Sequence, residues 1–222
     1  MAGKGKSTLF SEMTPGADFE ARFNAWYDTE HIPIRMDCPG FVSGQRYRRH
    51  DGPGYLAVYE MDTLGAMSTE AYTKVKTQPS EETAWMLKNV TGFTRYLADE
   101  TSVRANIDPQ EALDAPFLYA VSFTVPAEAT ADFDDWYEQD HVPLLLKEPK
   151  WLMVRRMRVA DGVPETYTHL ALHYLADADA LQSPARDAAR ATPWRARLAK
   201  EPWFKGSYTV FSRHGQRHFA RV

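Results

Sequence analysis

One stretch of this chain occurs twice, and that repetition limits the possible folds more than any other feature. FNAWYDTEHIPIRMDCPGFVSGQRYRR in the first half lies, without a gap, over FDDWYEQDHVPLLLKEPKWLMVRRMRV in the second. Phe23 aligns with Phe133, Trp26 with Trp136, Tyr27 with Tyr137, His31 with His141, Pro33 with Pro143 and Arg46 with Arg156, at a constant offset of 110 positions. Further on the offset grows to 114, as a longer turn in the second copy would require, and YLAVYEM at 55–61 lies over HLALHYL at 169–175. Each copy must therefore suit the same supersecondary unit. A polar stretch with two prolines, RANIDPQEALDAP, separates them. The chain divides into a first repeat at 1–104, a linker at 105–114 and a second repeat at 115–222.

Within each copy the pattern is strand, helix, strand, strand, helix, strand. Residues 8–13 and 119–125 are strand-like and stop at Pro15 and Pro126. Phe19, Phe23, Trp26 and Glu30 then recur at helical spacing, with Tyr27 and His31 on the adjoining row, until Ile32-Pro33 kinks or ends the helix. Residues 41–48 and 55–61 are joined by HDGPG, and 151–159 and 166–175 by ADGVPE; both joints have the chemistry of hairpin turns. Second helices over 66–89 and 178–200 are interrupted at Pro79 and Pro193, and strands at 93–97 and 207–212 close the units. The basic tail RHGQRHFARV is expected to face solvent.

That element order gives an α+β fold made of two ferredoxin-like β-α-β-β-α-β repeats, each a four-stranded antiparallel sheet with its helices on one face. A single copy would leave the other sheet face bare. Two copies on one chain can cover those faces mutually, forming an intrachain pseudo-twofold α/β barrel, either as a monomer with an internal pseudo-dimer or as a homodimer.

The run Trp26-Tyr27-x-x-Glu30-His31-Ile32-Pro33, followed by Pro39-Gly40-Phe41 opening a strand, resembles the dimeric α/β-barrel superfamily, in particular its EthD-like branch, once per half. The resemblance implies the fold but not the reaction, since that superfamily includes cofactor-free monooxygenases, muconolactone-type isomerases, polyketide cyclases and heme enzymes. In the methylmuconolactone isomerases a histidine at the end of the first helix belongs to the active site. By position it corresponds to His31 and, through the repeat, to His141, although the second copy has Pro149-Lys150 in place of Pro-Gly.

Imidazole titrates near neutral pH, so His31 and His141, each one turn after a tyrosine (Tyr27, Tyr137), are candidates for general acid/base work on a carbon acid or phenol. The alternative role is capping of the helix C-terminus. Trp26 and Trp136 are candidate aromatic walls. Arg46 and Arg156 are candidate holders of a carboxylate or phenolate, or else ion-paired residues. On the following strand Tyr59, and His169 and His173 in the second copy, share a face and line a pocket or, for the histidines, offer a metal or an axial heme ligand. No metal or other cofactor is the primary expectation.

Composition excludes several classes. A formal charge of −4 from 26 basic and 30 acidic residues gives no reason to expect nucleic acid, and one cysteine, Cys38, excludes a disulfide within the chain. No apolar run is long enough for a membrane span, so a cytoplasmic protein with a small-molecule substrate is expected. No phosphate loop, dinucleotide fingerprint or nucleophile elbow is present. The leading functional expectation is a cofactor-independent isomerase, cyclase or lyase moving a proton on an aromatic, lactone or polyketide-like compound. The alternatives are a heme- or oxygen-dependent oxidoreductase and a non-catalytic small-molecule-binding protein.

Overall fold

The computed structural model describes residues 3–221. In chain order the elements are β1 (Ser7–Met13), α1 (Glu20–Trp26), α2 (Pro33–Met36), β2 (Phe41–Arg49), β3 (Tyr55–Met61), α3 (Glu70–Thr77), α4 (Glu81–Asn89) and β4 (Arg95–Ala105). They continue with α5 (Pro109–Ala112), β5 (Phe117–Phe123), α6 (Thr130–Trp136), α7 (Val142–Leu145), β6 (Trp151–Val163), β7 (His169–Leu175), α8 (Pro184–Arg190), α9 (Pro193–Leu198) and β8 (Ser207–Phe219). The strands hydrogen-bond in the closed order β1-β3-β2-β8-β5-β7-β6-β4, an antiparallel eight-stranded barrel in an α+β chain. None of the helices among the described residues is long and apolar enough to cross a membrane.

The chain forms two compact units. One comprises Met1–Asp99, Ala160–Pro164 and His214–Val222; the other comprises Glu100–Val159 and Glu165–Arg213. Strands β4, β6 and β8 therefore each contribute residues to both. Residues 105–114, expected as a linker, carry the one-turn helix α5 and bury Ala112 and Leu113.

In the first unit β3 pairs with β1 on one side and β2 on the other, in registers Leu9↔Tyr59 and Arg46↔Ala57. An irregularity between Phe41 and Ser43 inserts one residue into β2 and sets which later side chains face the helices. Helix α1 turns Phe23 and Trp26 inward, where they pack with Leu9, Ile32, Tyr59 and Met86. Fully burying a side chain of this size contributes about 1.5–3 kcal/mol.

Pro33 has the effect its chemistry dictates. It brings no N–H and its ring crowds the carbonyl four residues back, and the preceding turn, Tyr27–His31, is a π-helix in which the Ile32 N–H donates to Tyr27 O at 3.0 Å. In the second unit Tyr137–His141 is also π-helical, and β6 has its own irregularity between Trp151 and Met153. Phe133, Trp136 and Tyr137 lead that core.

The interruptions expected at Pro79 and Pro193 are present. Ser80 caps α4 by accepting from Thr83 N, and Thr192 caps α9 with Pro193 in the first turn. The region before each is a 3-10 turn followed by a short helix rather than one long helix, starting at Leu64 and Ala178. The tail departs from expectation. Instead of lying free it continues β8 to Phe219, with Ala220 N donating to Val42 O and Arg221 N to Met36 O, both at 2.9 Å. An edge of β2 that would otherwise lack partners explains the ordering.

Candidate functional site

Helix α1 and its π turn present one face to β2 and β3 of the first unit. His31, 3% exposed, lies with its ring centroid 4.1 Å from Trp26 and 4.8 Å from Tyr27. Its neighbour in sequence, Glu30, points elsewhere and accepts from Thr83 Oγ1 at 2.7 Å. Position 44 is glycine, where a Cβ would meet the Tyr59 ring at 3.2 Å, so Tyr59 can lie flat against β2. Arg35, four residues after His31, donates to the His31 carbonyl at 2.6 Å and sets its guanidinium 5.5 Å from the Tyr59 ring.

Arg46 is held by the helix. Its guanidinium donates to Asp28 at 2.9 Å and to Asn24 Oδ1, and lies 4.6 Å from the Tyr27 ring. Of the two roles open to it, pairing is the one the geometry displays. Four polar atoms around this face are buried without a hydrogen bond: His31 Nδ1, Arg35 Nε, Arg46 Nε and Tyr59 OH. Each such atom carries a desolvation cost, so clustering calls for a cause. Burial, reinforced by Arg35 and Arg46, holds the His31 pKa well below its ordinary value, leaving the imidazole neutral. Burial likewise pushes the Tyr27 and Tyr59 phenols up.

The second unit engages its histidines. His173 Nε2 pairs with Tyr137 OH at 2.9 Å while Trp151 Nε1 donates to His173 Nδ1 at 3.1 Å. With Nδ1 accepting, the proton of the neutral ring sits on Nε2. His141 meets Ala189 O at 3.2 Å through Nδ1, tying its helix to α8 instead of capping its own end. Burial lowers its pKa to about 4. His169 lies 2.7 Å from Thr168 Oγ1 and 3.4 Å from Asp134. Asp134 also receives Arg156 and, at 2.7 Å, Arg158, and Arg156 stands 5.1 Å from the Tyr137 ring. A cavity among Phe123, Phe133, Tyr137, Arg156 and His169 admits about one water molecule.

Trp26, Tyr27, His31, Arg46 and Tyr59 thus gather in the first unit, and Trp136, Tyr137, His141, Arg156, His169 and His173 in the second. Arg35 and Tyr59's neighbour Tyr72, with the acids and amide that hold the buried arginines, escaped sequence reasoning. Asn24 and Asp134 do stand at the repeat offset, four residues before Asp28 and Glu138 on the same helix face, and that spacing was the available signal.

The β7 histidines do not fit an axial heme role. Both ring nitrogens of His173 already have partners, and the space beside His169 is far smaller than a porphyrin. Among the described residues no group of three or more His, Cys, Asp or Glu is placed to hold a metal ion.

No family model matches this sequence, and no curated protein does. Solved structures do resemble it. An anthrone oxidase-like protein superimposes with a TM-score of 0.70 at 11% identity, over 100% of this chain and 97% of that one. A candidate monooxygenase of Fusobacterium nucleatum gives 0.63 at 12% identity, over 97% and 95%. A mutant chlorite dismutase of Candidatus Nitrospira defluvii, in complex with cyanide, gives 0.59 at 9%, over 94% and 90%. The likeness is one of fold. It places the chain among the ferredoxin-type eight-stranded barrels that monooxygenase-like and chlorite dismutase-like proteins share.

Proposed function

We propose that this protein is an oxygen-dependent oxidoreductase acting on a small aromatic carbon acid, of anthrone or phenol type, with His31 as the base and no step through a heme. In the net change a ring methylene and dioxygen become a carbonyl and water: one oxygen atom ends on the carbon, and the other leaves with both methylene hydrogens. The observation that carries the reading is His31 Nδ1: a neutral imidazole nitrogen caged by Trp26 and Tyr27, buried and without a hydrogen-bond partner. In the tautomer that leaves Nδ1 unprotonated, its lone pair is free to take a proton from carbon. Arg35 and Arg46, which oppose an imidazolium, favour the carbanion that forms, and the anion in turn raises the imidazole's affinity for the proton. The buried Tyr59 hydroxyl, which lies beside that of Tyr27, is placed to donate to the developing oxyanion. His141, the counterpart of His31, has a partner for the corresponding nitrogen, and His169 Nε2 lies 3.4 Å from the Asp134 carboxylate, which favours the first unit as the reactive one. The names of two structural neighbours, an anthrone oxidase-like protein and a candidate monooxygenase, support an oxidative outcome, and the first of them supports the aromatic substrate class.

The reading includes a duplication origin in the EthD-like branch, with repeats at 1–104 and 115–222. Its support is the gapless alignment of the two sequence stretches and the π turn at both tyrosine-histidine pairs.

Oxygen uptake by the purified protein with anthrone tests the function. Uptake that His31→Gln reduces at least a hundredfold, at the low end of what a general base contributes, with the melting temperature kept, is the expected result. Turnover that continues without oxygen would instead identify the proton-transfer isomerase or lyase; binding without turnover would identify a carrier.

A further inference from the structure

Most arginines of the second unit have acids. Arg156 and Arg158 share Asp134, Arg104 has Glu138, and Arg197 has Asp132. Three do not: among the described residues no carboxylate forms an ion pair with Arg186, Arg190 or Arg195. Arg186 and Arg190 lie four apart on α8 and so share a face. Arg195 folds back from α9, its guanidinium donating to Arg190 O at 3.3 Å, while Arg186 is fixed by a bond to Leu181 O at 2.7 Å. Gathering three cations with no counter-charge is unfavourable; burial, reinforced by Arg190 and Arg186, lowers the Arg195 pKa.

Beside the arginines stand aromatic surfaces. The Tyr119 and Tyr208 rings stack at 6.2 Å with an interplanar angle of 15°, and Phe204 lies 5.9 Å from the Arg195 guanidinium. Tyr208 is 51% exposed and Arg190 is exposed, whereas Arg186, Arg195 and Tyr119 are half-buried. The group is open to solvent on one side and fixed on the other. Lone surface lysines would be a diffuse field; here two fixed guanidiniums, Arg186 and Arg195, with the exposed Arg190 beside them, stand at a tyrosine stack that Arg186 touches through Tyr119 and form a fork for a planar anion with a ring face for the rest of it.

We infer that Arg186, Arg190 and Arg195, with Tyr119 and Tyr208, form a binding site for a small aromatic carboxylate, the carboxylate taken by the guanidiniums and its ring laid on the open face of Tyr208. This site lies in the second unit and does not depend on the His31 reading.

Calorimetric titration of the full chain with benzoate tests it, with cyclohexanecarboxylate and inorganic phosphate as comparison ligands. Benzoate should bind one per chain and more tightly than either comparison ligand. Arg190→Gln and Arg195→Gln should each weaken it about tenfold, as expected for losing one charge-assisted bond. Arg197→Gln, a cation outside the group, should leave it unchanged. Arg190 is exposed, so R190Q keeps the test decisive if R195Q fails to fold. Absent benzoate binding overturns the inference. So does equal weakening by R190Q and R197Q, which would indicate general charge attraction, or equal affinity for cyclohexanecarboxylate, which would remove the tyrosine face from the site.

Discussion

His141 shows how one buried side chain ties stability to acidity. Burial lowers its pKa to about 4 against a bond to Ala189 that works the other way; the unfolded chain returns it to about 6.5. Between those values the unfolded state binds the extra proton, so folding stability rises with pH across that window, is complete above about 6.5 and is lost as pH falls towards 4. His31 and His173 shift in the same direction, chiefly by burial. Thermal melts from pH 7 to pH 4 should therefore show a steady fall in Tm, and His141→Gln should remove part of the slope. A constant Tm difference between the variant and the parent across that range would contradict the assignment. Asp134 acts lower on the scale. Burial raises its pKa, but His169, Arg156 and Arg158 together outweigh that and lower it, so its contribution is lost only as pH falls below the ordinary carboxylate range.

At the scale of elements, Gly40 decides how α2 hands over to β2. Its φ is +87°, and a Cβ there would lie 2.9 Å from Ala66 Cβ. Gly40→Ala should cost about 1–3 kcal/mol, read as a lower urea midpoint with an unchanged slope. Residue 150, its counterpart in the repeat, is Lys and does not have a positive φ, so the second unit makes the same connection differently. Strands, hairpins and the aromatic stripe of α1 were legible because alternation and helical spacing are written directly in residue order. The one-residue irregularity at Phe41/Ser43 was not, since an extra residue in a strand leaves no compositional mark, yet it sets the face that Arg46 occupies. Pro33 signalled a disturbed helix; only the Ile32–Tyr27 bond shows that the turn widens instead of breaking. The pairing of Tyr137 with His173 and the orphaned nitrogen of His31 depend on register between distant segments. Comparing the two copies also hid Arg186, Arg190 and Arg195, because it finds what the copies share and the first copy has Tyr72, Lys76 and Glu81 at those positions.

For the whole molecule the decisive fact is that each compact unit draws on chain from beyond its own half. The first needs residues 160–164 and 214–219: Gln45 donates to His214 O at 3.1 Å, and Arg217 to Ser43 Oγ at 3.2 Å. A fragment of residues 1–104 lacks both pieces and should be aggregated or without a cooperative melt, as judged by size-exclusion chromatography and circular dichroism. A soluble fragment that melts sharply would show the repeat to be self-sufficient. The same continuity of β8 governs synthesis. As the nascent chain leaves the ribosome, β1, β2 and β3 are made before β5, β6 and β7, and β2 must wait until β8 has been synthesised before its last neighbour arrives. During that delay its apolar strands stand open to chaperones, or to one another on crowded polysomes.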